Sequence, residues 1–163
     1  MDIAQHQLLA KQKNKEHRKF LAQLKNKPPK QLDYIAQDIH DEVFENINCL
    51  DCANCCKTTG PLVTSQDVDR IAKFLKQKPA DFEHQYLKID EDGDRVFQSL
   101  PCPFLFPDNT CMIYEVRPKA CREFPHTDRK KVYQINALTI KNIEICPAAY
   151  AWVEKMQDTI GSR

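Results

Sequence analysis

Glycine is nearly missing from this chain: Gly60, Gly93 and Gly161 are the only three in 163 residues. With so few, no GxGxxG and no GxxxxGK[ST] can be written, so neither glycine-rich phosphate cradle is present. A GxSxG nucleophile elbow and an HExxH zincin helix are lacking too. Nucleotide enzymes of the familiar kinds are therefore not expected. Long apolar runs are also missing: none approaches the roughly 20 residues that a membrane-spanning helix needs. Charge of one sign does not dominate, since the net charge is +1, which gives no overall bias toward nucleic acid or acidic lipid. The opening residues MDIAQHQLLAKQKNKEHRK lack a basic segment followed by an apolar one, as an export signal requires. The expectation is a protein of the reducing cytoplasm, with no membrane and no nucleic-acid partner.

What is present is ordinary in bulk. Hydrophobic residues make up 42% and charged residues 29%, close to globular averages, and the length suits one compact domain. The pattern predicts a mainly α protein with small β-hairpins, an α+β class held together by metal. Residues 1–30 read as a basic N-terminal helical arm that could dock on an acidic protein partner, and residues 31–163 as a cysteine-cluster metal-binding domain. In the arm, Leu8, Leu9, Phe20, Leu21 and Leu24 form an apolar stripe broken by Lys13, Glu16 and His17. Pro28 and Pro29 end that helix.

Residues 31–47 give a cleaner stripe, Leu32, Ile35, Ala36, Ile39, Val43 and Ile47, at three- and four-residue steps. A helix capped by Ser65 should bury Val68, Ile71, Ala72 and Leu75. Pro79 opens another that runs to Leu87. The stretch KIDEDGDRVF lacks the Gly and Glu placement of an EF-hand, so Asp92-Gly93 is a hairpin turn instead. Pro107–Thr110 marks a second turn. Pro118 suits the first turn of a short helix containing Cys121, Val132–Leu138 reads as a strand, and Pro147 opens a last helix. There Trp152, Met156 and Ile160 share a core-facing side.

Eight cysteines are the strongest feature. Cys49, Cys52, Cys55 and Cys56 crowd one window, and Cys102, Cys111, Cys121 and Cys146 stand beside turns or helix starts. In a reducing compartment such clustering points to metal thiolates rather than disulfides. CxxC spacing lets a loop turn several sulfurs toward one centre, as in zinc knuckles and clusters. In an extended chain Cys55 and Cys56 would face opposite ways, so one of them should serve a second role or a second metal. Eight thiolates would make two zinc sites of four. CxxCxxC with a distant Cys-Pro follows the ligand grammar of a 4Fe-4S cluster instead, and two such dipeptides occur, Cys102-Pro103 and Cys146-Pro147. Soft thiolates accept zinc, iron–sulfur and copper(I) alike. Lys57, Arg117, Lys119 and above all Arg122 are placed to lower thiol pKa values. His126 reads as a polar neighbour or proton carrier.

These residues resemble a known family. CLDCANCC at 49–56, CPFL at 102–105 and CMIYEVRPKACREFP at 111–125 are similar to the YkgJ-like CxxCxxCC cysteine-cluster family of zinc- or iron-chelating proteins. The match runs over roughly residues 49–147. The resemblance implies a bacterial protein in which Cys49, Cys52, Cys55, Cys56, Cys102, Cys111 and Cys121 are the cluster cysteines, with Cys146 as a further one. It also implies a tie to iron chemistry, because the domain occurs in flagellin lysine methylases. It covers the metal module alone, so methyl transfer is not carried over.

The expected function is a transition-metal-binding protein with an iron–sulfur centre used in redox, sensing or protein-modification chemistry. A structural zinc module that contacts a partner, and a metal storage or delivery protein, are the alternatives. No nucleophile–base–orienter set stands out. Tyr114, Glu115 and Glu123 lie near cysteines in the sequence and could move protons.

Overall fold

A computed structural model describes residues 2–161. Eight α-helices follow in chain order: α1 Ile3–Asn26, α2 Leu32–Asn46, α3 Asn54–Thr58, α4 Ser65–Phe74, α5 Pro79–Tyr86, α6 Lys119–Glu123, α7 Asn136–Ile145 and α8 Pro147–Ile160. Two short strands, β1 Leu87–Ile89 and β2 Arg95–Phe97, lie between α5 and α6. Three 3-10 turns occupy Cys49–Asp51, Tyr114–Val116 and Val132–Ile135. The protein is thus mainly helical with one small antiparallel sheet, as the pattern predicted. The chain divides into two compact units. One comprises the chain up to Cys52 and from Pro125 onward, and the other Ala53–Phe124.

In the first unit α1, α2, α7 and α8 bury a shared core. The Asp2 carboxylate starts α1 by accepting the Ala4 N–H at 3.1 Å, which satisfies one of the unpaired amides at a helix start. The face of α1 that is buried is His6, Ala10, His17, Phe20, Leu21 and Leu24, whereas Leu8 is exposed. Two histidines therefore complete the stripe that looked broken in the sequence. Lys13 reaches Glu154 of α8 at 2.6 Å, so its charge is paired at the edge of that face. Trp152 is fully buried on α8 and its indole N–H donates to the Ala36 carbonyl of α2 at 3.1 Å. Pro147 occupies the first turn of α8, where its missing N–H costs no intrahelical bond.

The expected strand at Val132–Leu138 is a 3-10 turn leading into α7. Val132, Ile140 and Ile143 sit in the helical core there, while Thr139 and Asn142 are buried polar residues. The Thr139 hydroxyl donates to the Ile135 carbonyl at 3.2 Å and the Asn142 amide to the Pro125 carbonyl at 3.2 Å. A strand would leave these groups and its own backbone to find partners. Packing overrode a β-rich local composition.

His6 is fully buried against the edge of Tyr150, with 5.6 Å between ring centroids, and His17 stands against the same ring at 5.6 Å. His17 Nε2 meets Glu154 Oε1 at 2.7 Å. Among the described residues neither ring nitrogen of His6 has a hydrogen-bond partner. Burial lowers the His6 pKa below its ordinary value, outweighing the nearby backbone of Glu144 and Ile143 that favours charge. The unfolded chain then binds the proton first. The stabilising effect of neutral His6 is complete above about pH 6.5 and is lost as pH falls below it. Urea midpoints at pH 7.5 and 5.5 should differ more in the native protein than in His6→Leu. Acid protonates the thiols of both proteins, so the difference between them is the readout. Equal shifts would show that His6 is not the titrating group.

The second unit packs Val63, Val68, Ile71, Phe82, Phe97, Phe104 and Ile113 together. Phe82 and Phe97 lie with ring centroids 6.4 and 5.6 Å from Phe104. The cap of α4 is Thr64, not Ser65. The Thr64 hydroxyl accepts the Asp67 N–H at 3.1 Å and the Asp67 carboxylate accepts the Thr64 N–H at 2.9 Å, a reciprocal capping box. Ser65 is the first helical residue, and its hydroxyl accepts from Arg95 at 2.5 Å. β1 and β2 form the expected hairpin, pairing Leu87 with Phe97, Lys88 with Val96 and Ile89 with Arg95. Gly93 turns it with φ +80°, which side chains rarely adopt.

Candidate metal centre

Five of the cysteines lie in the second unit, and backbone contacts join the segments that carry Cys56, Cys102 and Cys111. Cys55 and Cys56 ride on α3, and the Cys56 carbonyl accepts the Cys102 N–H at 2.8 Å. Beyond Cys102 the chain folds back on itself. Leu105 N–H donates to the Cys102 carbonyl at 3.1 Å, Leu105 bridges Cys111 in antiparallel fashion, and Met112 N–H donates to the Phe104 carbonyl at 2.8 Å. The turn at its tip is fixed by Asp108, whose carboxylate accepts the Thr110 N–H at 3.1 Å and hydroxyl at 2.6 Å. Cys102 and Cys111 pack onto the unit's apolar core. Cys121 sits in the first turn of α6, where its N–H donates to the Pro118 carbonyl at 2.9 Å. Pro118 stands just outside that helix, as its cap.

The approach to Cys121 is clamped by two residues that the sequence reading passed over. Asp67 accepts the Lys119 N–H at 3.1 Å and the Arg70 guanidinium at 2.7 Å. Arg70 in turn donates to the carbonyls of Arg117 at 2.8 Å and Val116 at 3.3 Å. Burial alone would raise the Asp67 pKa, but the Thr64 N–H, Arg70 and the Lys119 N–H outweigh it and hold the carboxyl below its usual range. The Thr64-x-x-Asp67 spacing was the available signal, since it marks a capping pair.

Electrostatics couple Cys56, Cys102, Cys111 and Cys121. A hydrogen bond from Cys55, opposed by burial and aided by Lys57, lowers the Cys56 pKa to about 7. Burial raises Cys102 to about 11, and the charges of Cys56 and Cys111 add to it. Cys111 is raised by burial and by Cys56, against the pull of Arg117. Cys121 reaches about 12 through burial and the charges of Cys56, Cys102 and Cys111, again against Arg117. Thiolates that repel one another are relieved by a metal cation among them. Binding must displace protons from the raised thiols, so it strengthens as pH rises.

The first unit holds another set. Cys49 opens a 3-10 turn whose end is the Cys52 N–H donating to the Cys49 carbonyl at 3.2 Å. Asn48 caps that turn by accepting the Leu50 N–H at 3.0 Å. Cys146 caps α8 and packs against the core of this unit, as does Ile47 at the end of α2. Burial lifts Cys146 to about 11, its own helix's Ala149 and Ala148 amides pull it down, and charges on Cys49 and Cys52 push it up.

Other expected site residues fall as follows. The cation acting on Cys111 and Cys121 is Arg117, which also lies 4.0 Å over the Tyr114 ring. Arg122 is exposed. Lys119 faces Glu123 at 3.7 Å in an exposed pair, worth little in water. Glu115 is exposed. His126 sits in a turn at φ 64°, its carbonyl accepting the Arg129 N–H at 3.3 Å. Cys55 and Cys56 lie in a helix rather than in extended chain and are hydrogen bonded to each other. Among the described residues no cysteine is joined in a disulfide. The one trio of metal-type donor atoms within 4.8 Å among them is Asp90, Asp92 and Asp94, which are exposed or half-exposed. There the Asp90 carboxylate accepts the Asp92 and Asp94 N–H groups at 2.9 Å, an ordinary turn.

Thiol sets of this kind have the chemistry of soft-metal chelators, and they fit zinc or iron. Residues 48–147 match the CxxCxxCC family, whose description reads "Putative zinc- or iron-chelating domain". That span is more than half of the chain, and the chain belongs to this family. No solved structure matches it at a significant level.

Proposed function

We propose that the protein is a cytoplasmic metal chelator whose cysteines hold an iron–sulfur centre serving redox sensing, electron transfer or modification chemistry. One observation supports the reading: backbone contacts bring half-buried cysteines from separate segments together, Cys102 to Cys56 and Cys111 to the chain just after Cys102. A bound cluster would supply one-electron chemistry there. The chain's own part is to present thiolates, restrict water and place Arg117 beside Cys111 and Cys121. CxxCxxC with remote Cys-Pro dipeptides supports iron–sulfur over other soft-metal chemistry.

A structural zinc site is the second reading, favoured by the five thiols of the second unit, enough to saturate a tetrahedral ion. Anaerobic purification followed by iron, zinc and acid-labile sulfide analysis separates the two. The expected protein is brown, with broad visible absorption that is lost in Cys102→Ser. A colourless anaerobic protein with stoichiometric zinc and no sulfide would reject the cluster.

A further inference from the structure

Resting on the reading of this chain as a metal chelator, we infer that Asp67 and Arg70 of α4 are positioning residues for its centre, acting through Cys121. Their side chains grip the backbone between Val116 and Lys119. Arg70 donates to the Val116 and Arg117 carbonyls at 3.3 and 2.8 Å, and Asp67 Oδ1 accepts the Lys119 N–H at 3.1 Å. Arg70 and Asp67 are themselves paired at 2.7 Å.

Capping of α4 does not require these contacts. The cap uses Asp67 Oδ2, which accepts the Thr64 N–H at 2.9 Å, whereas Oδ1 serves Arg70 and Lys119. The Asp67 side chain is only 1% exposed, and a buried carboxylate is tolerated where hydrogen bonds and an opposite charge offset its desolvation. The loop is therefore held in the arrangement that satisfies Asp67. Cys121 follows from it, because its N–H donates to the Pro118 carbonyl at 2.9 Å. On its other side α4 buries Val68, Ile71 and Ala72 in the apolar core against which Cys102 and Cys111 pack. The clamp thus ties Cys121 to the core that carries Cys102 and Cys111. It also fixes the backbone of Arg117, the cation that acts on Cys111 and Cys121. Groups that orient the ligands of a metal contribute about 10–100-fold to its affinity.

The probe is cobalt(II) alone, titrated into the full chain without oxygen and followed by its thiolate charge-transfer band. Arg70→Lys keeps a cation beside Asp67, but one ammonium cannot span the carboxylate and both carbonyls. It should weaken cobalt binding about tenfold or more. Lys119→Pro is the second variant, since proline suits the first position of α6 and removes the N–H given to Asp67 along with an exposed side chain. It should weaken binding in the same way. Because it leaves the Asp67–Arg70 pair intact, failure of Arg70→Lys to fold does not decide the outcome. Cys121→Ser should bind with a weaker band. Adding Arg70→Lys to it should lower the affinity no further, since the clamp acts through the lost sulfur. Val68→Ala trims the buried face of α4 without removing any of these hydrogen bonds, and it should melt lower yet keep the native affinity. Native affinity in Arg70→Lys and Lys119→Pro, an equal loss in Val68→Ala, an undiminished further loss in the double variant, or an unchanged band in Cys121→Ser would overturn the positioning role while leaving chelation standing. A native protein with no thiolate band would instead overturn the chelator reading itself.

Discussion

Complete removal of metal is expected to abolish the cooperative melt of the second unit. Where a site is gathered from distant segments, binding free energy is also folding free energy, on the order of 10 kcal/mol for structural zinc peptides. Whole domains are stable by about 5–15 kcal/mol, so the loss is comparable to the total. Without a metal, Cys56, Cys102, Cys111 and Cys121 are held by a few backbone bonds and by the apolar packing of Cys102 and Cys111. At neutral pH the half-buried thiols of Cys102 and Cys121, raised to about 11 and about 12, would be protonated. Hydrogen exchange should quicken first in residues 100–125, and Cys52→Ser should loosen residues 49–60. The amphipathic helix α2 should keep its local protection, because Leu32, Ala36, Ile39 and Val43 bury into an apolar core that Cys146 meets only at its margin. Calorimetry of holo and stripped protein checks this. An unchanged melt after verified metal removal would mean that the cysteines do not hold the fold.

Trp152→Ala should be the most damaging substitution of the first unit. Trp152 is fully buried between α8 and α2, and truncating such an aromatic residue costs about 3–5 kcal/mol through lost burial and the cavity left behind. The Ala36 carbonyl also loses the indole donor at 3.1 Å, though an ordered helix partly satisfies it. Trp152→Phe should recover most of the packing and lack only the hydrogen bond. Since this is the only tryptophan, denaturation is followed by circular dichroism rather than indole fluorescence. A change below about 1 kcal/mol, the ordinary range for a substitution away from the core, would show that the face of α8 does not close on α2.

Much of the helical frame was legible locally. The stripe of Leu32, Ala36, Ile39 and Val43 repeats at the helical period and is the buried face of α2. Trp152, Met156 and Ile160 do the same in α8, and Pro147 and Pro79 stand at helix starts as their fixed φ requires. Asp92-Gly93 marked the hairpin because a positive φ suits glycine. These features depend on neighbours within about one or two helical turns, or across a single turn of chain.

Tertiary structure decided the rest. His6 and His17 look like interruptions in a charged helix, yet they complete its buried face because Tyr150 of α8 offers both an aromatic edge. Val132–Leu138 carries strand-forming residues, but the core of α1, α7 and α8 imposes a helical turn and a helix. The cysteines mark the second limit. Their spacing announced thiolate chemistry without naming the partners of any one sulfur. Cys56 meets Cys102 only because the chain returns to it after the β1–β2 hairpin, and Asp67 supports Cys121 only because α4 packs beside the Tyr114–Val116 turn. Sequence determines which side chains can become soft ligands and which faces must be buried, since both are properties of residue type and local period. Which ligands share a centre is set by long-range chain reversal, whose geometry no local window contains.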